Sequence, residues 1–232
     1  MVIGPAHRRR LRDIWRSAGW PCQDMLEVEL LAAGLLARQQ DAAGRDTLRV
    51  TDAGVAQIAL AVQQHRRARD AHEALVERVA VDMQRAGRLV WRGLSLRAAV
   101  AAEDGAVAWV MAMPDVFSIR PSTVEDYVEP IVHEVKVRRA DLRADLRKAA
   151  KREAYRALAS QCWYVLAPGI GEPDEIPADC GVMIARDGAL AVARPAPKRA
   201  MRLPLGTWVA LARATALPPL DDEAQGLLGS DG

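Results

Sequence analysis

The sequence predicts a mixed α/β (α+β) protein, and three observations predict it. Strand-forming runs alternate with amphipathic helical runs over the last two thirds of the 232 residues. The first third instead orders as helix, helix, two short strands around a turn, and helix. Half of the residues are hydrophobic and 27% are charged, enough for a packed core and too few charges for wholesale disorder.

Composition also excludes several function classes. Lys plus Arg total 32 against 30 for Asp plus Glu, a formal charge of +2, so binding by bulk positive charge is excluded while local basic patches are not. Cys22, Cys162 and Cys180 are odd in number, far apart and without a C-x-x-C pair, which supports neither a disulfide framework nor a zinc ribbon. His7, His65, His72 and His133 are scattered, so a His-based metal cage is not expected. The apolar stretch Leu30 to Ala37 is far below the ~18 residues that span a bilayer. Met1 to Ala6 is too short for a signal-peptide core, and Arg8-Arg9-Arg10 follows it. The expectation is a soluble, cytoplasmic protein with no membrane partner.

In chain order, Arg8 to Ala18 reads as a basic helix ended by Gly19 and Pro21. Asp24 to Leu36 places Leu26, Leu30, Leu31 and Leu35 at helical spacing, with Gly34 as its breaker. Ala37 to Gln40 and Thr47 to Thr51 flank the turn Asp41-Ala-Ala-Gly44. Thr51 and Asp52 can then cap a helix from Ala53 to about Arg67. The phrase Gly34-Leu35-Leu36-x-Arg38 through Leu48-x-Val50-Thr51-Asp52-x-Gly54 resembles the winged helix-turn-helix family over residues 7–66. The element that would enter a DNA groove carries Asp24, Glu27 and Glu29 and no Lys or Arg. Phosphates repel those carboxylates, so a protein partner or self-association through this segment is the alternative to reading DNA.

From about Arg67 a polar helix runs to Ala86, stopped by Gly87. Strands are expected at 89–91, 107–113, 116–119 and 131–137, a helix at 141–160, and a strand at 163–167. Strands at 181–185 and 190–192 flank Arg186-Asp187-Gly188, whose Asp-Gly favours a tight hairpin turn. A helix at 208–216 precedes an Asp- and Gly-rich tail from Pro218. The expected domains are 1–66, 67–217 and a flexible tail, 218–232.

The chemistry concentrates in Met113-Pro114-Asp115-Val116-Phe117 and His133-Glu134-Val135-Lys136-Val137. Strand side chains alternate, so Glu134 and Lys136 share one face, about 7 Å apart, and His133 and Val135 share the other. Opposite charges in an apolar strand cost desolvation unless something compensates them. A strand beginning at Asp115 brings a second carboxylate beside Glu134. Mg²⁺ prefers oxygen, takes one or two carboxylates and keeps several waters. Asp115, Glu134 and the Val135 carbonyl are suited to hold it, and Lys136 to orient the attacking water or offset charge on a phosphate. The bland alternative is a same-strand ion pair on a solvated sheet face.

Pro114-Asp115 followed by Glu134-Val135-Lys136 resembles the P-D…(D/E)-x-K signature of the restriction-endonuclease-like nuclease superfamily over about residues 70–195. Asp141-Leu142-Arg143-x-Asp145, Tyr155 and Cys162-x-Tyr164 further resemble repair-associated members of the MmcB type. The resemblance implies a nuclease core with a mixed central β-sheet flanked by helices. It implies Asp115 and Glu134 as ligands of Mg²⁺ or Mn²⁺, Lys136 as catalytic lysine, and an acid on the first core helix, Glu77 with Glu73 as rival. Along the next helix Arg139, Arg143, Arg147 and Lys151 recur every four residues and end at Tyr155. Residues 136–156 hold nine Lys or Arg against three acids, a local surplus larger than that of the whole chain. This ridge is where a phosphate backbone would lie, with Lys151, Arg152 and Tyr155 as substrate contacts. The expected function is metal-dependent cleavage of DNA, or of RNA, in repair, recombination or defence. The alternative is a non-catalytic DNA-binding or regulatory protein on a nuclease-like scaffold.

Overall fold

The computed structural model describes residues 3–16, 24–101 and 105–220. The chain is a mixed α/β protein that divides into two compact units, residues 1–69 and 70–232. The division falls inside one helix. Gly19, Pro21, Cys22 and the tail beyond residue 220 lie outside the described residues.

The first unit holds α1 (Pro5–Arg16), α2 (Met25–Ala32), the hairpin β1 (Leu36–Gln40) and β2 (Asp46–Val50), and the start of α3 (Asp52–Arg85). Its core is Leu11, Ile14, Leu30, Leu35, Leu36, Leu48 and Val50. Asp24 caps α2 by accepting the Glu27 amide at 3.1 Å. Gly34 leaves the helix at φ 67°, a conformation glycine adopts without steric cost. The acids read as facing a groove are instead engaged by α1. Arg10 reaches Asp24 at 2.6 Å and Glu27 at 3.1 Å, and His7 pairs with Glu29.

Two helices expected around residue 67 are one, because neither Gly nor Pro interrupts the chain between Gly54 and Gly87. The second unit is built on a six-stranded sheet in the order β10-β9-β8-β7-β6-β3. These strands are β3 (Leu89–Arg92), β6 (Val116–Ile119), β7 (Ile131–Lys136), β8 (Gln161–Leu166), β9 (Gly181–Arg186) and β10 (Ala189–Arg194). The pairs β3–β6, β6–β7 and β9–β10 are antiparallel, whereas β7–β8 and β8–β9 are parallel. A parallel pair needs a crossover, which α4 (Arg139–Leu146) and α5 (Ala149–Leu158) supply between β7 and β8. The remaining strands, β4 (Leu96–Ala101) and β5 (Val107–Ala112), form a separate hairpin against α5. Last comes α6 (Leu205–Arg213).

Two clusters place the layers. Leu75, Val76, Val79 and Ala80 of α3 pack with Val90, Val116, Val135, Trp163 and Val165 on one sheet face. Leu142, Ala154, Tyr155 and Leu158 pack with Phe117, Val132 and Tyr164 on the other, together with the β4–β5 hairpin. Glu134 and Lys136 share the Val132 face of β7 and so point toward α4 and α5. Among the described residues no helix is long and apolar enough to cross a membrane.

His133 is buried, and neither of its ring nitrogens meets a hydrogen-bond partner among the described residues. Burial, then the nearby Arg88 guanidinium, pushes its pKa down to about 3 from 6.5. Above pH 6.5 the ring is neutral in both folded and unfolded chains and its titration costs nothing, whereas stability is lost as pH falls from 6.5 toward 3 because only the unfolded chain takes up the proton. Each unit of pH in this window is worth about 1.4 kcal/mol. His133→Leu should therefore melt higher than the parent, by an amount that widens from pH 7 to 4.5. Parallel melting curves for the two proteins across that range check this.

Candidate active site

The strand β7 lies in the interior of the sheet, and its C-terminal end is where the functional side chains collect. Antiparallel pairing with β6 runs only as far as Val116 opposite His133. Beyond that point Asp115 takes over, its Oδ2 accepting the Val135 amide at 2.7 Å. A side-chain carboxylate thus replaces the missing ladder carbonyl, fixing Asp115 against β7. Its other oxygen, Oδ1, lies 3.4 Å from His72 Nε2 on α3.

Glu134 is enclosed. The Lys136 ammonium donates to its Oε1, Lys151 Nζ reaches the same oxygen at 2.5 Å, and Tyr155 Oη donates to Oε2 at 2.7 Å. Lys136 Nζ also donates to the Val135 carbonyl at 3.2 Å. Side-chain exposure of 11% for Lys136 and 5% for Glu134 rules out a solvated same-strand pair. A third carboxylate joins them. Asp145 accepts Lys151 Nζ at 2.7 Å and Tyr164 Oη at 2.8 Å, and Lys136 Nζ stands 3.9 Å away.

These groups act on one another. Burial, reinforced by the negative charge of Glu134, raises the Asp115 carboxyl above its ordinary value, although the Val135 amide, Lys136 and His72 oppose the shift. Burial also works against the Asp145 carboxylate, but Lys136, Lys151 and Tyr164 outweigh it and hold this group low. Lys151 is held above its ordinary value: burial opposes its charge, and Glu134 and Asp145 overcome that. Both tyrosines are raised by burial and by the facing carboxylates, so they remain neutral donors.

Three carboxylates face two ammonium groups here, leaving one negative charge in excess. Among the described residues no three His, Cys, Asp or Glu side chains cluster tightly enough to enclose a metal by themselves. The donor set, two carboxylates and the Val135 carbonyl, is all oxygen, which suits Mg²⁺ and Mn²⁺ better than metals that take nitrogen and sulfur. The charge excess at Asp115 is what a divalent cation would relieve.

Sequence reading and structure differ on four points. Glu77 is engaged by Arg92, which also holds Glu73 at 2.9 Å, and the α3 side chain that meets Asp115 is His72. The single helix expected at 141–160 is two, α4 and α5, with Arg147 and Lys148 between them. In an unbroken helix, residues 145 and 151 would stand about 120° apart around the axis and could not meet. The break lets Asp145 and Lys151 both turn inward. It also disperses the basic ridge: Arg139 is tied to Glu175 and the Ile170 carbonyl, and Arg152 to the Leu146 carbonyl. Only Arg143 and Arg147 of the six proposed contacts are exposed, while Lys151 and Tyr155 belong to the carboxylate cluster. Asp145, Tyr164 and His72 were missed. Asp145 and Tyr164 each carried a signal, as members of the Asp141-Leu142-Arg143-x-Asp145 and Cys162-x-Tyr164 resemblances, whereas His72 carried none.

No family model matches the chain, and no curated protein matches it. A solved structure to which it is similar is that of a protein of unknown function from Silicibacter pomeroyi. The two share 23% identity, with 66% of this chain and 86% of that one covered, at a TM-score of 0.39.

Proposed function

We propose that this protein is a metal-dependent phosphodiesterase acting on DNA, with a restriction-endonuclease-like core and an N-terminal winged-helix unit that places a substrate or a protein partner. One observation carries the reading. Asp115, Glu134 and Lys136, separated in sequence, gather at the end of two adjacent strands, with Asp115 fixed by the Val135 amide at 2.7 Å. Asp115, Glu134 and the Val135 carbonyl would hold Mg²⁺ or Mn²⁺. Bound there, the ion would supply Lewis acidity toward the phosphate and lower the pKa of a water.

The chain's own residues do the rest. Lys136 offers a positive charge beside that position, suited to offset charge that develops on the phosphate. Tyr155 fixes one oxygen of Glu134, and His72 lies against the outer oxygen of Asp115. Arg143 and Arg147, exposed on the crossover, are available to the phosphate backbone. A divalent cation together with one phosphodiester charge brings the cluster to neutrality.

Glu134 is already satisfied by two lysines and a tyrosine, which favours a second reading: a nuclease-like scaffold that binds DNA without cutting it. Incubating the purified protein with DNA separates the two. The enzyme should cut or degrade DNA with Mg²⁺ or Mn²⁺ and stop on chelation. A scaffold should bind equally with or without metal and leave the DNA whole, as should Glu134→Gln under either reading.

A further inference from the structure

Glu134 is both the residue proposed to hold a cation and the residue that two lysines occupy. Lys136 Nζ and Lys151 Nζ meet on the same oxygen, Oε1. A cation and two ammonium groups cannot share it, so uptake of metal requires the lysines to retreat onto another anion. Asp145 stands next to both of them, 2.7 Å from Lys151 Nζ and 3.9 Å from Lys136 Nζ. It is buried in the face between sheet and crossover, and Tyr164 Oη pins its second oxygen at 2.8 Å. Its place depends on the break between α4 and α5, which turns it toward the lysines.

We infer that Asp145 is a positioning residue that receives the lysines of Glu134 when a divalent cation binds, coupling metal uptake to movement of Lys151. This rests on the metal-dependent reading above and deepens it. Before uptake the lysines neutralise Glu134 and keep the carboxylate pair from unbalancing the core. On uptake Lys151 transfers wholly to Asp145, already 2.7 Å away, and a small rotation of the Lys136 side chain closes the remaining gap. Lys136 is then released from Glu134, its charge held beside the cation position by Asp145. Without Asp145 the lysines would have to leave Glu134 for a buried region with no anion to receive them, a costly move.

Calorimetric titration of Mn²⁺ alone into the full chain tests this with four proteins: the parent, Asp145→Asn, Lys151→Gln and the double variant. Asp145→Asn should weaken Mn²⁺ binding by about tenfold, the size of coupling expected within one ion-pair network. In the Lys151→Gln background the same substitution should weaken it by about threefold or less, because only Lys136 then needs an anion to receive it. An equal loss in both backgrounds would mean that Asp145 acts on the metal only through its charge, and would overturn the inference. So would an unchanged affinity in Asp145→Asn. Tyr164→Phe, which loosens Asp145 without removing its charge, should shift the affinity in the same direction and with the same dependence on Lys151. It decides the matter if Asp145→Asn does not fold. Failure of the parent to take up Mn²⁺ at all would instead overturn the metal-dependent reading itself, and the inference with it.

Discussion

Lys136→Ala is expected to lower metal-dependent DNA cleavage by about 10²–10³-fold in kcat, the usual effect of removing one preorganised group that stabilises transition-state charge. The KM for DNA should move little, since Lys136 is largely buried among the carboxylates and contributes little to the exposed surface that meets the backbone. The fold should survive. Glu134 keeps Lys151 at 2.5 Å and Tyr155 at 2.7 Å, so no carboxylate is left without a compensating donor. Single-turnover cleavage together with a melting curve checks both halves. Cleavage that persists at the parent rate would remove Lys136 from the mechanism.

The second large effect concerns stability. Asp115 is raised by burial and by Glu134, so its proton is held more tightly in the folded chain than in the unfolded one. The protonated form therefore favours folding at low pH, and that contribution is lost as pH rises from the ordinary carboxylate range, near 3.8, through the raised value. At neutral pH the charged Asp115 works against the fold. Asp115→Asn keeps an oxygen to accept the Val135 amide and removes the charge, so without metal it should melt higher than the parent. Added Mn²⁺ should reverse the order. At a metal concentration about 100 times Kd the parent gains about 2.7 kcal/mol, while the variant, lacking a ligand, gains little. Melting curves at pH 7 with and without Mn²⁺ check this. A parent more stable than Asp115→Asn in the absence of metal would show that the carboxylate is not strained.

The contrast between Asp115 and Asp145 shows which parts of the site were legible in the sequence. Strand alternation alone puts Glu134 and Lys136 on one face, and a Pro-Asp at the start of a neighbouring strand leaves little freedom for Asp115. Asp145 obeys no such periodicity. Its position depends on a helix break at Arg147-Lys148, where neither Gly nor Pro marks an end, so the four-residue repeat of basic residues reads straight through it. His72 is a lone histidine on a polar helix, and only the packing of α3 on the sheet brings it to Asp115. The strand β4, Leu-Arg-Ala-Ala-Val-Ala, escaped for a different reason. Its alanines favour helix over strand, and pairing with β5 overrides that preference. In the first unit, α2's acids looked like a surface hostile to DNA, whereas Arg10 and His7 engage them from α1.

Anomalous diffraction from a crystal soaked in Mn²⁺ tests the central claim most directly. The expected result is one peak within coordination distance of carboxylate oxygens of both Asp115 and Glu134, close to the Val135 carbonyl, with Lys151 moved onto Asp145. Absence of a peak there under saturating Mn²⁺, with Lys136 and Lys151 still on Glu134, would contradict it.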